Sequence, residues 1–386
     1  MNNPWEDNWN PYIEYVPLSK KLNLRGMDIM EKEQEKNNLR IPTLKVGTTG
    51  YEIINILSKY EYYSEKYLVD LIEKKQDTIR KTVKQLERNG YLVRKKGLLG
   101  ENVLCLSRFG KDVLELYQDT KATTPKKITR LANRAVANMM FDESCPYSRN
   151  NELVKETFYQ TKQEIIEQFP ECPKAINASR FTGVYHHYGR LMMVFKLGSS
   201  MFWQENAERQ VRDYLEQQIF HKPISNAIFL IESYEEEAMK FLIPIENEKT
   251  KTGKTLRESL ELASCYEKAF MFTTDKTGIN QLMLFRSIAD IENMFLEAVF
   301  EDDQKSDTAD SIIDGQIDGC DCIVLFTGDI IQIKKIHRML DNNLLNEVVI
   351  ICYDFQEEFL RKAFPWQDRI VFSSYSLSEL REVFSP

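Results

Sequence analysis

The sequence predicts a chain in three parts: a small α+β winged unit near the N-terminus, a helical spacer, and a C-terminal α/β domain with a mostly parallel sheet. Three observations predict it. Between Gly47 and Tyr117, three short segments with apolar residues at helical spacing lead into a glycine-punctuated hairpin and a closing helix. From 121 to 174 helical spacing continues. From about Ala175, short all-apolar runs such as CIVLF and VVIIC are each followed by a helical pattern, as strands of a buried parallel sheet are. The boundaries so read are 1–45, 46–120, 121–174 and 175–386, consistent with two or three cores in 386 residues.

Residues 1–45 read as an arm. Trp5, Trp9, Tyr12 and Tyr15 recur every three or four residues, but Pro4, Pro11 and Pro17 interrupt any long helix. The arm either packs its aromatics on its own fold or docks on a protein partner through them. Its first residues lack the cationic start and apolar core of a signal peptide, and no apolar run approaches the roughly 20 residues of a membrane span. A cytoplasmic protein without membrane contact is expected. Seven cysteines, scattered and odd in number, fit reduced thiols better than a disulfide framework.

In the next segment Ile53, Ile54 and Leu57 mark a core helix over Tyr51–Lys59. Ser64 is placed to cap a second helix that buries Leu68, Val69, Leu71 and Ile72. After the turn Glu73–Gln76, Ile79, Val83 and Leu86 fall at i, i+4 and i+7 of a third helix, with Gly90 where a left-handed C-cap belongs. Thr78, Arg80, Lys81, Lys84, Gln85 and Arg88 then lie away from the core. YLVRKKGLLGENVLCL reads as two strands around a turn with Gly97 and Gly100, carrying Arg94, Lys95 and Lys96 near its tip, and Ser107 opens a closing helix. This order is that of a winged helix-turn-helix.

Charge points the same way. The chain is net −8, yet residues 74–140 hold 16 Lys+Arg against 6 Asp+Glu. A focused positive field inside an acidic chain attracts a polyanion, and an exposed polar helix fits the major groove of double-stranded DNA. DTIRKTVKQLERNGYLVRKKG resembles the recognition helix and wing of MarR-like winged-helix regulators. The resemblance implies that Arg80 and Lys81 touch DNA and that Lys95 and Lys96 lie in the wing.

KKITRLANRAVANMMF follows, an amphipathic helix with Ile128, Leu131, Ala132, Ala135, Val136 and Met139 on its apolar stripe and Lys126, Lys127, Arg130 and Arg134 beside it. It either extends the DNA footprint or pairs with its twin in a homodimer. A second helix is expected from about Asn151 to Phe169. Beyond it, strands are expected at Phe181–His186, Leu191–Leu197, Ala227–Ile231, Ala269–Thr273, Gln281–Phe285, Cys322–Phe326, Val348–Cys352 and Arg369–Phe372. Helices are expected over Glu205–Phe220, Glu235–Phe241, Ile288–Phe300, Ile330–Leu340, Gln356–Phe364 and Leu377–Phe384.

No complete catalytic motif is present. Gly278 and Gly328 stand alone, and KTGK at Lys251–Lys254 lacks the rest of a phosphate-binding loop. His186 and His187 are adjacent on a strand, hence on opposite faces, and do not hold one metal jointly. The carboxylates are the remaining chemical candidates. Glu205 and Glu208 share a helix face at i, i+3, and Glu232 closes the strand AIFLIE; hard carboxylate oxygens of this kind hold the Mg or Mn of a metal-dependent phosphodiesterase.

FLIESYEEEAMK weakly resembles a segment of the replication-relaxation family, which includes MobC-type relaxases of plasmids and conjugative elements. That resemblance implies a degenerate restriction-nuclease-like core and a role at an origin of transfer or replication. The chain departs from the family pattern at Ser233 and where Pro223 is followed by Ile224. The alternative expectation is a winged-helix transcriptional regulator whose α/β domain binds a ligand or partner.

Overall fold

The computed structural model describes residues 45–98, 100–116, 122–145, 156–171, 174–197, 205–239, 265–305, 312–317, 319–345, 347–366 and 368–384. The aromatic arm and the KTGK segment lie outside them. The chain divides into two compact units, with the division between Met139 and Met140. It is a mixed α and β protein with three sheets among the described residues.

The first unit begins with α1 (Thr49–Tyr60), whose Thr48 side chain accepts the Tyr51 N–H as an N-cap and whose Ile53, Ile54, Ile56, Leu57 and Tyr60 are buried. Strand β1 (Tyr62–Ser64) was not foreseen. Ser64 ends it, and its side chain makes no cap hydrogen bond, because the chain enters a 3-10 turn (Glu65–Tyr67) before the short helix α2 (Leu68–Ile72). Of the four apolar residues expected to bury there, Leu68 does so fully and the others partly.

Next come α3 (Gln76–Arg88), β2 (Leu92–Lys96), β3 (Asn102–Leu106) and α4 (Arg108–Val113). The strands form an antiparallel sheet in the order β1-β3-β2. Helix, strand, two helices and a hairpin in that pairing give a winged-helix arrangement. Gly90, at φ 78°, turns the chain out of α3, a conformation that favours glycine. Helix α5 (Pro125–Glu143) covers the sheet: Ile128, Leu131 and Ala132 pack with Tyr62, Val103 and Cys105 in one apolar cluster.

The second unit differs from the expected single, mostly parallel sheet. Its first sheet runs β4 (Thr157–Thr161), β5 (Phe181–His187), β6 (Arg190–Lys196), β7 (Asn226–Ile231), β8 (Lys268–Thr273), with β4, β5 and β6 antiparallel and β6, β7 and β8 parallel. The second sheet has β10 (Cys320–Val324), β11 (Val348–Tyr353) and β12 (Ile370–Tyr375) parallel, with the short β9 (Gly315–Ile317) antiparallel at the edge.

Among the described residues of this unit the helices are α6 (Lys162–Gln168), α7 (Lys174–Ala178), α8 (Glu205–Tyr214), α9 (Lys276–Ser287), α10 (Ile291–Val299), α11 (Ile330–Asp341), α12 (Asp354–Ala363) and α13 (Leu377–Phe384). Two π-helical turns, Leu215–Phe220 and Tyr234–Ala238, follow α8 and β7.

Two expectations fail for physical reasons. Of the helix placed over 151–169, residues 151–155 lie outside the described residues, and the described part is broken by a strand before it resumes as α6. The preceding Thr157–Thr161, rich in aromatic and β-branched residues, pairs with β5 instead, and a capping box from Thr161 and Glu164 starts the helix after it. The strand placed at Gln281–Phe285 lies inside α9: a short apolar run does not distinguish helix from strand, and the Asp275 side chain, accepting the Gly278 N–H at 2.9 Å, commits this one to helix. A side chain at Gly278 would collide with the Thr273 carbonyl, so this lone glycine lets α9 start against the end of β8.

The two sheets of this unit meet at β8. Its free edge is covered by the segment after β10, through Met271 N–H to Thr327 O (3.4 Å) and Ala269 N–H to the Asp329 carboxylate (2.9 Å). The buried Tyr234 hydroxyl donates to Met271 O (2.7 Å) and accepts from Gln356 Nε2 (3.2 Å), and one apolar core extends through both sheets.

Candidate nucleic-acid interface

Helix α3 separates its two faces cleanly. Ile79, Val83 and Leu86 are at most 2% exposed. At 100° per residue, Lys81 and Arg88 fall opposite that stripe, Lys84 and Gln85 flank them, and Thr78 and Arg80 stand at the two margins. All six side chains are exposed. Burying the stripe fixes the helix's rotation, and that rotation sets which groups meet an external partner.

The wing behaves differently from its reading in the sequence. Arg94 is turned inward, its guanidinium bridging Glu87 of α3 (3.1 Å) and Glu65 of the 3-10 turn (3.2 Å). Lys95 donates to the Ala122 carbonyl (2.9 Å) and the Tyr62 hydroxyl (3.3 Å), lying 5.2 Å over the Tyr62 ring. Lys96 is exposed at the turn and donates to Asn102 Oδ1 (2.6 Å). The hairpin tip is tied down by the Leu98 N–H, which donates to Thr129 Oγ1 of α5 (2.9 Å), while Thr129 donates to Glu101 (2.6 Å).

At the start of α5, Lys126 and Lys127 are exposed and Arg130 is half-buried. Cations in a first helical turn oppose the helix dipole, at a cost of a few tenths of a kcal/mol, but they surround N–H groups that themselves favour an anion. Lys74 and Lys75 in the turn before α3 and Arg108 at the start of α4 are also exposed. The sequence marks them only by membership of the same basic stretch.

The carboxylates of the second unit have separate engagements. Glu208 is buried and accepts the Arg180 N–H at 2.7 Å, whereas Glu232 faces the buried Lys196 ammonium at 3.4 Å. Glu205 opens α8, and its side chain lies outside the described residues. No group of three or more His, Cys, Asp and Glu among the described residues is arranged to hold a metal ion. None of the six cysteines among the described residues is in a disulfide, and no helix among those residues is long and apolar enough to cross a membrane.

The first unit is of winged-helix form. No family model matches the chain, and no curated protein matches it. A solved structure that it matches is that of the adhesin competence repressor AdcR from Streptococcus pyogenes, at 18% identity over 25% of this chain and 68% of that chain, with a TM-score of 0.17.

Proposed function

We propose that the chain is a sequence-specific double-stranded DNA-binding protein of the regulator type, which reads DNA through α3 and carries a ligand- or partner-binding second unit. The observation that carries this reading is the face of α3 opposite its buried stripe, where Lys81, Lys84, Gln85 and Arg88 are exposed. Gln and Arg side chains on such a face meet base edges, and Lys and Arg neutralise phosphates. Lys96, Lys126 and Lys127 supply further phosphate contacts. Arg94 and Lys95 hold the wing against its own unit. A homodimer would place two reading helices on half-sites about 34 Å apart, one helical turn.

The engaged carboxylates favour this regulator reading over nicking at an origin of transfer, and we assign no reaction to the chain. The test is selection of a preferred duplex from a random pool, followed by binding of that duplex to the wild type and to the Arg80→Ala, Lys81→Ala double variant. The double variant is expected to bind at least about tenfold more weakly, each such contact being worth roughly 1–3 kcal/mol. Equal affinity for the selected duplex would remove α3 as the reading element.

A further inference from the structure

Strands β4, β5 and β6 place Phe158, His186 and Leu191 side by side on one face of the first sheet of the second unit. The Phe158 and His186 rings stack with centroids 3.9 Å apart and planes 13° from parallel. Phe220 approaches the imidazole edge-on, with centroids 5.6 Å apart. These rings line an open cleft of about 580 Å³, whose lining also includes Glu156 and Lys222. That volume lies within the roughly 300–1,000 Å³ of small-molecule sites.

Three features separate the cleft from ordinary core. Phe158 is a large aromatic on an edge strand and remains 42% exposed. Phe220 is delivered by a π-helical turn, an uncommon geometry that recurs at functional sites, and Lys222 follows just beyond its end. The His186 Nε2 atom is buried without a hydrogen-bond partner, so the ring is retained by stacking. Burial, helped by Lys222, lowers its pKa to about 4, so at neutral pH the imidazole is an uncharged flat surface.

We infer that this cleft binds a nucleotide: a base stacked on the Phe158–His186 pair, its phosphate met by Lys222, and its exocyclic amino group donating to Glu156. Stacking on aromatic rings accepts any base, whereas a carboxylate placed to accept from the exocyclic amine of cytosine meets the O4 oxygen of thymine at that position and is repelled by it. The same chemistry is presented by a free mononucleotide and by an unpaired base in a single strand. This names a ligand class for the ligand-binding role proposed for the second unit. It is independent of duplex reading by α3.

The experiment is calorimetric titration of the full chain carrying Arg80→Ala and Lys81→Ala, which weakens any contribution from α3. The probes are dCMP, dTMP, deoxycytidine, and short oligo-dC and oligo-dT strands. Expected are tighter binding of dCMP than of dTMP or deoxycytidine, and about a tenfold loss on Phe158→Ala. Lys222→Ala should erase the preference for dCMP over deoxycytidine, and Glu156→Gln the preference for dCMP over dTMP. Binding of oligo-dC without dCMP assigns the site to a strand, and binding of both to a free nucleotide as well. Phe158 and Lys222 are exposed, so both variants are expected to fold, Lys222→Ala with the wild-type melting temperature and Phe158→Ala with one lowered by the lost stack on His186. No heat with any probe, or undiminished binding by a folded Phe158→Ala protein, overturns the inference.

Discussion

At the scale of the residue, the carboxylates between α10 and β10 set a dependence on pH. Glu292 accepts both the N–H and the hydroxyl of Thr327 (3.2 and 2.6 Å), and Lys268 stands 4.0 Å away. Burial dominates, raising its pKa from 4.5 to about 7, with Lys268 and Thr327 opposing and Asp314 and Asp329 adding to the rise. Burial likewise raises Asp314 to about 6 and raises Asp329. A folded-state pKa above the unfolded value means that the native form holds the extra proton between the two. The contribution to stability is therefore present below about pH 4.5 and is lost as pH rises through 7. Urea denaturation across that window should show the wild type losing roughly 1–3 kcal/mol from this group. Glu292→Gln, isosteric and uncharged, should flatten that part of the profile. A parallel profile in the variant would place the effect elsewhere.

Individual roles were unevenly legible in the sequence. The exposure of Lys81 and Arg88 follows from helical period alone, since both are fixed by their offset from Ile79, Val83 and Leu86. The inward turn of Arg94 does not, because its partner Glu65 lies 29 residues away. Lys95 likewise finds Tyr62 at 33 residues and Ala122 at 27. A run of three cations reads as one basic patch until pairing with β3 alternates its side chains.

At the scale of the element, the wing is held to helix α5. Thr129 Oγ1 accepts the Leu98 N–H and donates to Glu101, so a single hydroxyl orders the hairpin tip. Thr129→Val keeps the shape and removes both bonds. It should lower stability by about 1–2 kcal/mol, speed amide exchange at Leu98, and weaken duplex binding several-fold by loosening the wing. Unchanged exchange at Leu98 would mean that the tip is ordered by other contacts.

Element type was readable wherever a period ran long enough, as in α3, α5 and α13. It was misread where a short segment takes its identity from a distant neighbour: Thr157–Thr161 becomes a strand only because β5 offers an edge, and β1 forms against β3 about 40 residues further along the chain. The Phe158–His186 pairing was hidden for the same reason, since only strand register brings the two rings together.

At the scale of the whole molecule, charge is partitioned along the chain. A net of −8 conceals a strongly cationic stretch at 74–140, followed by a C-terminal remainder rich in Asp and Glu. Counterion release makes log K fall with log salt by about 0.9 per phosphate neutralised. The slope therefore counts cations that reach phosphates, including exposed ones such as Lys96 that exchange a surface hydrogen bond for one, and omits those held in the interior of the fold. Lys126→Ala with Lys127→Ala should reduce its magnitude by about 2, and Lys96→Ala by about 1. Lys95→Ala should leave the slope unchanged while lowering the melting temperature, because its ammonium is held by Ala122 and Tyr62. Titrations of the selected duplex across a range of salt concentrations measure all of these quantities. If the Lys126, Lys127 double variant keeps the wild-type slope, the footprint is confined to α3 and the wing; if Lys95→Ala lowers it, the wing must open on binding and release that lysine to the phosphates.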